Sequence, residues 1–265
     1  LAGPKELVRL ERELEVAGTS VQSGAAAQMR SKELALMRAV DCVIVHSTAE
    51  RELLVPLLGE VPVQVFQWVI PVAGTQCGFA ARRDIAFVGG YRHDPNVDAV
   101  QYFVASILPL VRAQLPGVRF LAIGADAPEA LRELASESVV VTGYVEDLGP
   151  LLDGVRVAVA PLRIGAGIKG KIATTLSAGL PCVGTTVAVE GMELHDGEEI
   201  LVADDPQEFA DRVVALYRDE QLWQRLSGKG LAFAERAYGK GAAEAAMRAI
   251  LGGVGFDLPP QPFVH

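Results

Sequence analysis

No stretch of the chain approaches the ~18–20 consecutive apolar residues that a membrane-spanning helix needs, and the opening residues carry no leader-peptide pattern. The expectation is a cytoplasmic protein, with docking at the inner face of a membrane left open. Cysteine is scarce. Cys42, Cys77 and Cys182 are odd in number and far apart, which argues against a disulfide framework or a zinc site and for buried thiols in a reducing compartment. His46, His93, His195 and His265 show no metal-ligand spacing. Positive charge is also short, with 24 Lys and Arg against 33 Asp and Glu and a net charge of −9. A nucleic-acid backbone would be repelled over most of such a surface, although a small polyanion can still be held locally.

What the chain does have is apolar bulk. Half of its 265 residues are hydrophobic, and strand-like runs alternate with helix-like ones, the pattern of an α/β domain with a filled core. Strands are expected at Cys42–Val45, Val61–Val69, Asp84–Val88, Val118–Gly124, Val139–Val141, Val155–Ala160, Pro181–Thr186 and Ile200–Val202. Helices are expected between them. Ser47 with Glu50 has the spacing of a capping box, and Asp205-Pro206-Gln207-Glu208 that of an N-cap followed by proline. Leu7, Leu10 and Leu14 suggest an opening helix with breaks near Gly18 to Ser20 and at Gly24, and Pro259, Pro260 and Pro262 an extended tail. Pro71 to Arg83 reads as a linker. Three parts are therefore expected: a partial α/β region over residues 1–75, a Rossmann-like doubly wound parallel sheet over 76–240, and a helix with a tail over 241–265.

One segment organises the rest. After the apolar run Val155 to Ala160 come Gly165, Gly167 and Gly170 interleaved with Lys169 and Lys171, and then a helical run from Ile172 that Gly179 and Pro181 end. Glycine-rich backbone lets amide groups converge on an anion, a helix start adds partial positive charge, and the lysines add full charges. The spacing Gly165-x-Gly167-x-x-Gly170, with Glu190 twenty residues on, imitates a dinucleotide fingerprint, but it lies too late in the domain. It also imitates a P-loop, yet Ile172 stands where the magnesium-binding hydroxyl belongs. Diphosphate binding without a metal survives both objections.

Phe87 to Val100 with Gly89-Gly90-Tyr91-Arg92, then Gly143-Tyr144-Val145, then Ala160 to Lys171, then Ser177 to Pro181 and Val189-Glu190-Gly191-Met192 together resemble the C-terminal, donor-binding domain of GT-B glycosyltransferases. The branch resembled is the group 1, family four type of bacterial surface-polysaccharide and O-antigen synthesis. The resemblance covers about residues 84–240. It implies retaining transfer of a sugar from a UDP- or GDP-type donor to a glycan or lipid-linked acceptor, with no metal and no further cofactor. It places Lys171 on the diphosphate, with Arg163, Lys169 and Arg92 in support. Gly143, Tyr144 and Val145 would line the base pocket, Gly89 and Gly90 admit the ligand closely, and Gly165, Gly167, Ile168, Thr174 and Thr175 complete the cradle with Glu190 beside it.

Many relatives carry two glutamates where this chain has Ala166 and Thr174. The early strands of an acceptor-side domain are not recognisable before Leu34, with Arg9 to Glu13 at most a trace. Three explanations stand open: a piece of a larger enzyme, an acceptor side supplied by another chain or domain, or lost transfer. The alternative function is a catalytically silent sugar-nucleotide-binding or interaction module. A nicotinamide oxidoreductase rests on glycine spacing alone.

Overall fold

The computed structural model describes residues 24–75, 77–165 and 167–257. The expected opening helix, the Arg9 to Glu13 trace, the proline tail and Ala166 lie outside them.

The first unit is small. Helix α1 (Gly24–Met37) precedes strand β1 (Val43–Val45), helix α2 (Thr48–Leu58) and strand β2 (Val63–Val65), and the two strands pair in parallel with Val43 opposite Val63. The capping box forms as its spacing dictates: the Glu50 amide donates to Ser47 Oγ at 3.1 Å and the Ser47 amide donates back to Glu50 Oε2 at 3.1 Å. Val43, Val45, Leu54, Leu58 and Val63 make a core of their own, while Leu36, Ile44 and Leu53 face outward. The long strand expected over Val61–Val69 stops at Val65; the Phe66 amide still bonds the Val45 carbonyl at 2.8 Å, and by Ile70 the chain is bonded to the second unit.

That second unit contains strands β3 (Asp84–Val88), β4 (Phe120–Ile123), β5 (Val139–Gly143), β6 (Val155–Ala160), β7 (Cys182–Gly184) and β8 (Leu201–Val202). All pair in parallel in the order β5-β4-β3-β6-β7-β8. Near-continuous burial along β4, β6 and β7 is what a sheet covered on both faces demands of its sequence. The helices pack in two groups. In one, α3 (Asp94–Tyr102) and α4 (Leu108–Gln114) lie with α9 (Pro206–Arg218); in the other, α7 (Gly170–Ser177) lies against α10 (Glu220–Tyr238). Short α5 (Glu129–Arg132), α6 (Gly149–Gly154) and α8 (Thr186–Val189) fill connections, and α11 (Lys240–Gly253) follows α10. The Asp205 cap of α9 forms as expected, bonding the amides of Gln207 and Glu208.

One expected helix differs. Instead of running evenly from Pro95 past Leu110, the chain widens to a π-helix over Phe103–Ile107 before α4. Pro109 has no amide hydrogen for the α-helical ladder, and the preceding turn relaxes into wider bonds such as Leu108 N–H to the Phe103 carbonyl.

The stretch joining the two sheets is tied down. Ile70 donates its amide to the Tyr238 carbonyl at 3.1 Å, and Gly74 to that of Ser177 at 3.0 Å. Arg82, fully buried, then bonds the carbonyls of Cys77, Leu152 and Val155 as well as Thr75 and Asp153. A buried guanidinium is tolerated because each of its faces meets an acceptor or the Trp223 ring.

Candidate active site

In a doubly wound sheet the crevice opens where consecutive strands diverge to opposite sides. Here that point lies between β3 and β6, since β4 continues on one side and β7 on the other. The loops leaving these two strands are the Gly89-Gly90 turn and the lysine-bearing glycine segment. Between the second of these and the residues that follow the first, His93 to Asn96, lies a cavity of about 230 Å³, whose lining includes neither Gly89 nor Gly90. Ligand pockets for whole drug-sized molecules run roughly 300–1,000 Å³, so this one has the size for part of an extended ligand.

The glycine loop is shaped by its ends. Thr185, the N-cap of α8, donates its hydroxyl to the Leu162 carbonyl at 2.6 Å, and Ile168 is buried in the core. Between them Gly165 and Gly167 adopt φ of 137° and 70°, which side chains with a Cβ resist. The loop thereby turns back so that Lys169 occupies the N-cap position of α7 and the helix starts at Gly170, two residues earlier than its apolar pattern indicates. Lys169, only 5% exposed, has its Nζ 3.7 Å from Glu190 Oε2. Lys171 lies over the Phe87 ring, 5.6 Å from its centre. Burial first, and then neighbouring Lys169, push the Lys171 ammonium down to about 8. Two lysines and the N-terminal end of α7 thus border one space, the cavity that Lys169, Gly170 and Lys171 line. A divalent anion is the natural guest for such a field.

The opposite wall is His93, Pro95 and Asn96, at the start of α3. Asn96, which lies within the Phe87 to Val100 stretch but is not among the expected site residues, donates Nδ2 to the Gly90 carbonyl at 2.7 Å and thereby fixes the first turn. Asn96→Ala is expected to cost about 1–3 kcal/mol by leaving that carbonyl unsatisfied, measurable as a lower urea midpoint at unchanged slope. Trp68 was also missed. It sits in a segment that reads as strand, and nothing in its neighbours' pattern marks it as a cavity wall.

Of the expected cradle residues, the structure brings Gly165, Ile168, Lys169 and Lys171 to the cavity wall. Arg163 turns outward instead: it pairs with Asp98 through both Nε, at 3.1 Å, and Nη2, and stacks over Tyr102. Arg92, with 85% of its side chain exposed, pairs with Asp126. Of the three supporting cations expected, the structure places Lys169 in the cavity wall and both arginines outside it. The Thr175 hydroxyl donates within its own helix to the Ile172 carbonyl at 3.0 Å, and Thr174 lies one turn into α7, outside the lining. Gly143 and Tyr144 stand at the end of β5 on the same edge of the sheet. Gly143 has φ of 73° with open space beside it, Tyr144 is 75% exposed, and Val145 packs on the core. Among the described residues no group of His, Cys, Asp and Glu has the makings of a metal site, and no helix is long and apolar enough to cross a membrane.

A doubly wound parallel sheet with an anion cradle at its switch point is the architecture of the GT-B glycosyltransferases' Rossmann-like domain. Comparison with known sequences agrees, since the profile of the group 1 glycosyl transferases matches residues 82–219. The chain belongs to that family. An uncharacterised 44.6 kDa protein of the cps region of Klebsiella pneumoniae is 20% identical over 165 residues, covering 58% of this chain and 42% of the relative. Among solved structures, the S. aureus TarM G117R mutant in complex with fondaparinux, α-GlcNAc-glycerol and UDP superposes with a TM-score of 0.71 at 13% identity, over 89% of this chain and 49% of that one. Sucrose-phosphate synthase of Thermosynechococcus elongatus gives a TM-score of 0.71 at 16% identity, over 92% and 65%. The chain thus spans about half of the first and less than two thirds of the second.

Proposed function

We propose that the chain is the donor-binding portion of a glycosyltransferase that moves a sugar from a UDP- or GDP-type donor to a glycan or lipid-linked acceptor in bacterial surface-polysaccharide synthesis. The observation that carries this is the convergence of Lys169, Lys171 and the start of α7 on one cavity at the switch point. In glycosyl transfer the bond from the anomeric carbon to the diphosphate oxygen breaks, and negative charge grows on the leaving diphosphate. Preorganised ammonium groups and backbone amides stabilise that charge most where water is excluded. Lys169 and Lys171 supply here what a bound divalent metal supplies in other designs. Retention of anomeric configuration is part of the proposal and follows the family resemblance. Gly143 to Val145 would hold the base along the same sheet edge, and Glu190 beside Lys169 stands in reach of the ribose end. Residues 1–75 and 76–240 would form the two walls, and further domains or chains would complete the acceptor side.

The test is a melting series with UDP, GDP, their sugars and NAD. A nucleoside diphosphate at about 100 times its Kd is expected to stabilise the fold by about 2.7 kcal/mol, or roughly 5–10 °C. No shift with any nucleoside diphosphate would overturn the proposal. Transfer or donor hydrolysis by the same preparation distinguishes an enzyme from the silent sugar-nucleotide module.

A further inference from the structure

Among the described residues, Trp68 is the one cavity-lining residue that comes from the stretch connecting the two units; the others follow β3 or β6. Its indole is pinned on two sides. The benzo ring lies on Gly170, the first residue of α7, so closely that a Cβ there would come within 2.6 Å of Cζ3. The His46 ring meets it edge-on at 5.6 Å between centres, and His46 Nδ1 is itself 2.9 Å from the Phe66 carbonyl. Yet 38% of Trp68 remains exposed. A large ring that is immobilised and left open forgoes part of the burial that would stabilise it, and it offers a partner broad contact at small entropic cost.

We propose that Trp68 is a stacking platform for a pyranose ring at the mouth of the cradle. The inference rests on the glycosyltransferase reading and names the group that the connecting stretch contributes to it. An indole face is apolar with a negative quadrupole, and the matching surface is one of polarised C–H groups rimmed by hydroxyls, which is one face of a sugar. A nucleobase also stacks, but with its diphosphate on α7 the base stands beyond the ribose and away from a ring that touches Gly170. The groups next to the diphosphate are the sugar it carries and the sugar that attacks it. The proposal takes the stacked ring to be a pyranose in either case, and the experiment separates them.

Fluorescence and calorimetry on the full chain provide the test, with Trp68→Leu, which keeps cover over Gly170 but removes the π face, and Trp68→Phe, which keeps a smaller one. UDP, UDP-glucose and UDP-N-acetylglucosamine probe the donor ring; methyl glucoside added to the UDP complex probes the acceptor ring. Trp223 is buried and bonded to the Arg156 carbonyl, so its emission is a constant background. In the unaltered protein the emission shifts with UDP-sugars or with methyl glucoside, beyond any change with UDP alone. Trp68→Leu weakens that sugar's binding about tenfold, Trp68→Phe recovers most of it, and UDP affinity stays within twofold for both. Loss in the UDP-sugar arm assigns the transferred ring, and loss in the methyl glucoside arm the accepting one. Unchanged sugar binding in Trp68→Leu, or an equal loss for UDP and UDP-sugars, overturns the platform and leaves Trp68 as packing for α7. Failure of the unaltered chain to bind UDP or GDP at all would be a different result, one that overturns the parent reading.

Discussion

Lys171→Ala is expected to weaken nucleoside diphosphate binding by about 2–3 kcal/mol, the loss of a charge-assisted contact in a sheltered site, or roughly 30- to 150-fold in Kd. The unliganded protein should respond in the opposite direction. Burial holds the ammonium down to about 8 against an ordinary 10.5, so the charged form is disfavoured in the fold. With the folded value below the unfolded one, the penalty is fully present below pH about 8 and fades as pH rises to the unfolded value. Lys171→Met, which keeps the length of the side chain, should therefore melt no lower than the parent at pH 7 without ligand and gain less than about 1 kcal/mol from UDP at a concentration that gives the parent about 2.7. The same displacement gives binding a pH signature. Below pH about 8 the free cradle already carries its proton; above it, binding must recapture one. UDP affinity should fall roughly tenfold between pH 7 and pH 9 in the parent, and not in Lys171→Ala. An affinity flat across that range, or an unaltered Kd in Lys171→Ala, would remove Lys171 from the site.

The second large effect is expected from packing and not from charge. Gly124 ends β4 where the loop after β3 crosses it: the Gly89 amide donates to the Ile123 carbonyl at 2.9 Å and the Tyr91 amide to that of Ala125 at 3.0 Å. A Cβ on Gly124 would overlap the Gly89 carbonyl oxygen and crowd the Tyr91 ring at 3.1 Å. Backbone cannot rotate aside as a side chain can, and Gly89 has no room to retreat because Asn96 Nδ2 sits against it. Gly124→Ala should cost about 3 kcal/mol, the upper end for overpacking, and lower Tm by roughly 6–12 °C. The control is Gly90→Ala. Gly90 has ordinary φ and nothing within 4 Å of an added Cβ, so its effect on stability should stay within about 0.5 kcal/mol. Equal stability of the two variants would show that the crossing is looser than described.

The contrast between these glycines shows what the sequence can carry. The six strands of the main sheet were legible because a parallel sheet buried on both faces writes itself as apolar runs such as Val155 to Ala160. The cap at Ser47 and the cap at Asp205 were legible because their hydrogen bonds are local. The lysines of the cradle were legible for the same reason: loop, helix start and charge are contiguous. The pairing of Arg163 with Asp98 was not legible, because the two are 65 positions apart and no spacing rule joins them. Trp68 went unread because its role depends on Gly170, in another unit. Gly124 reads as the end of a strand, and only the crossing loop reveals why a side chain is excluded there.

The tethered connection between the sheets has a mechanical corollary. From Ile70 onward the connection is fastened to Tyr238, Ser177 and the Arg82 hub, while Val65 is still in β2. Phe66 is still held by Val45 and His46, so any swing of the first unit must be taken up by the torsions of Gln67 to Val69, because a hinge lies where backbone bonds leave freedom. The indole of Trp68 rides on that hinge, so opening the cleft and withdrawing the ring from Gly170 are one movement.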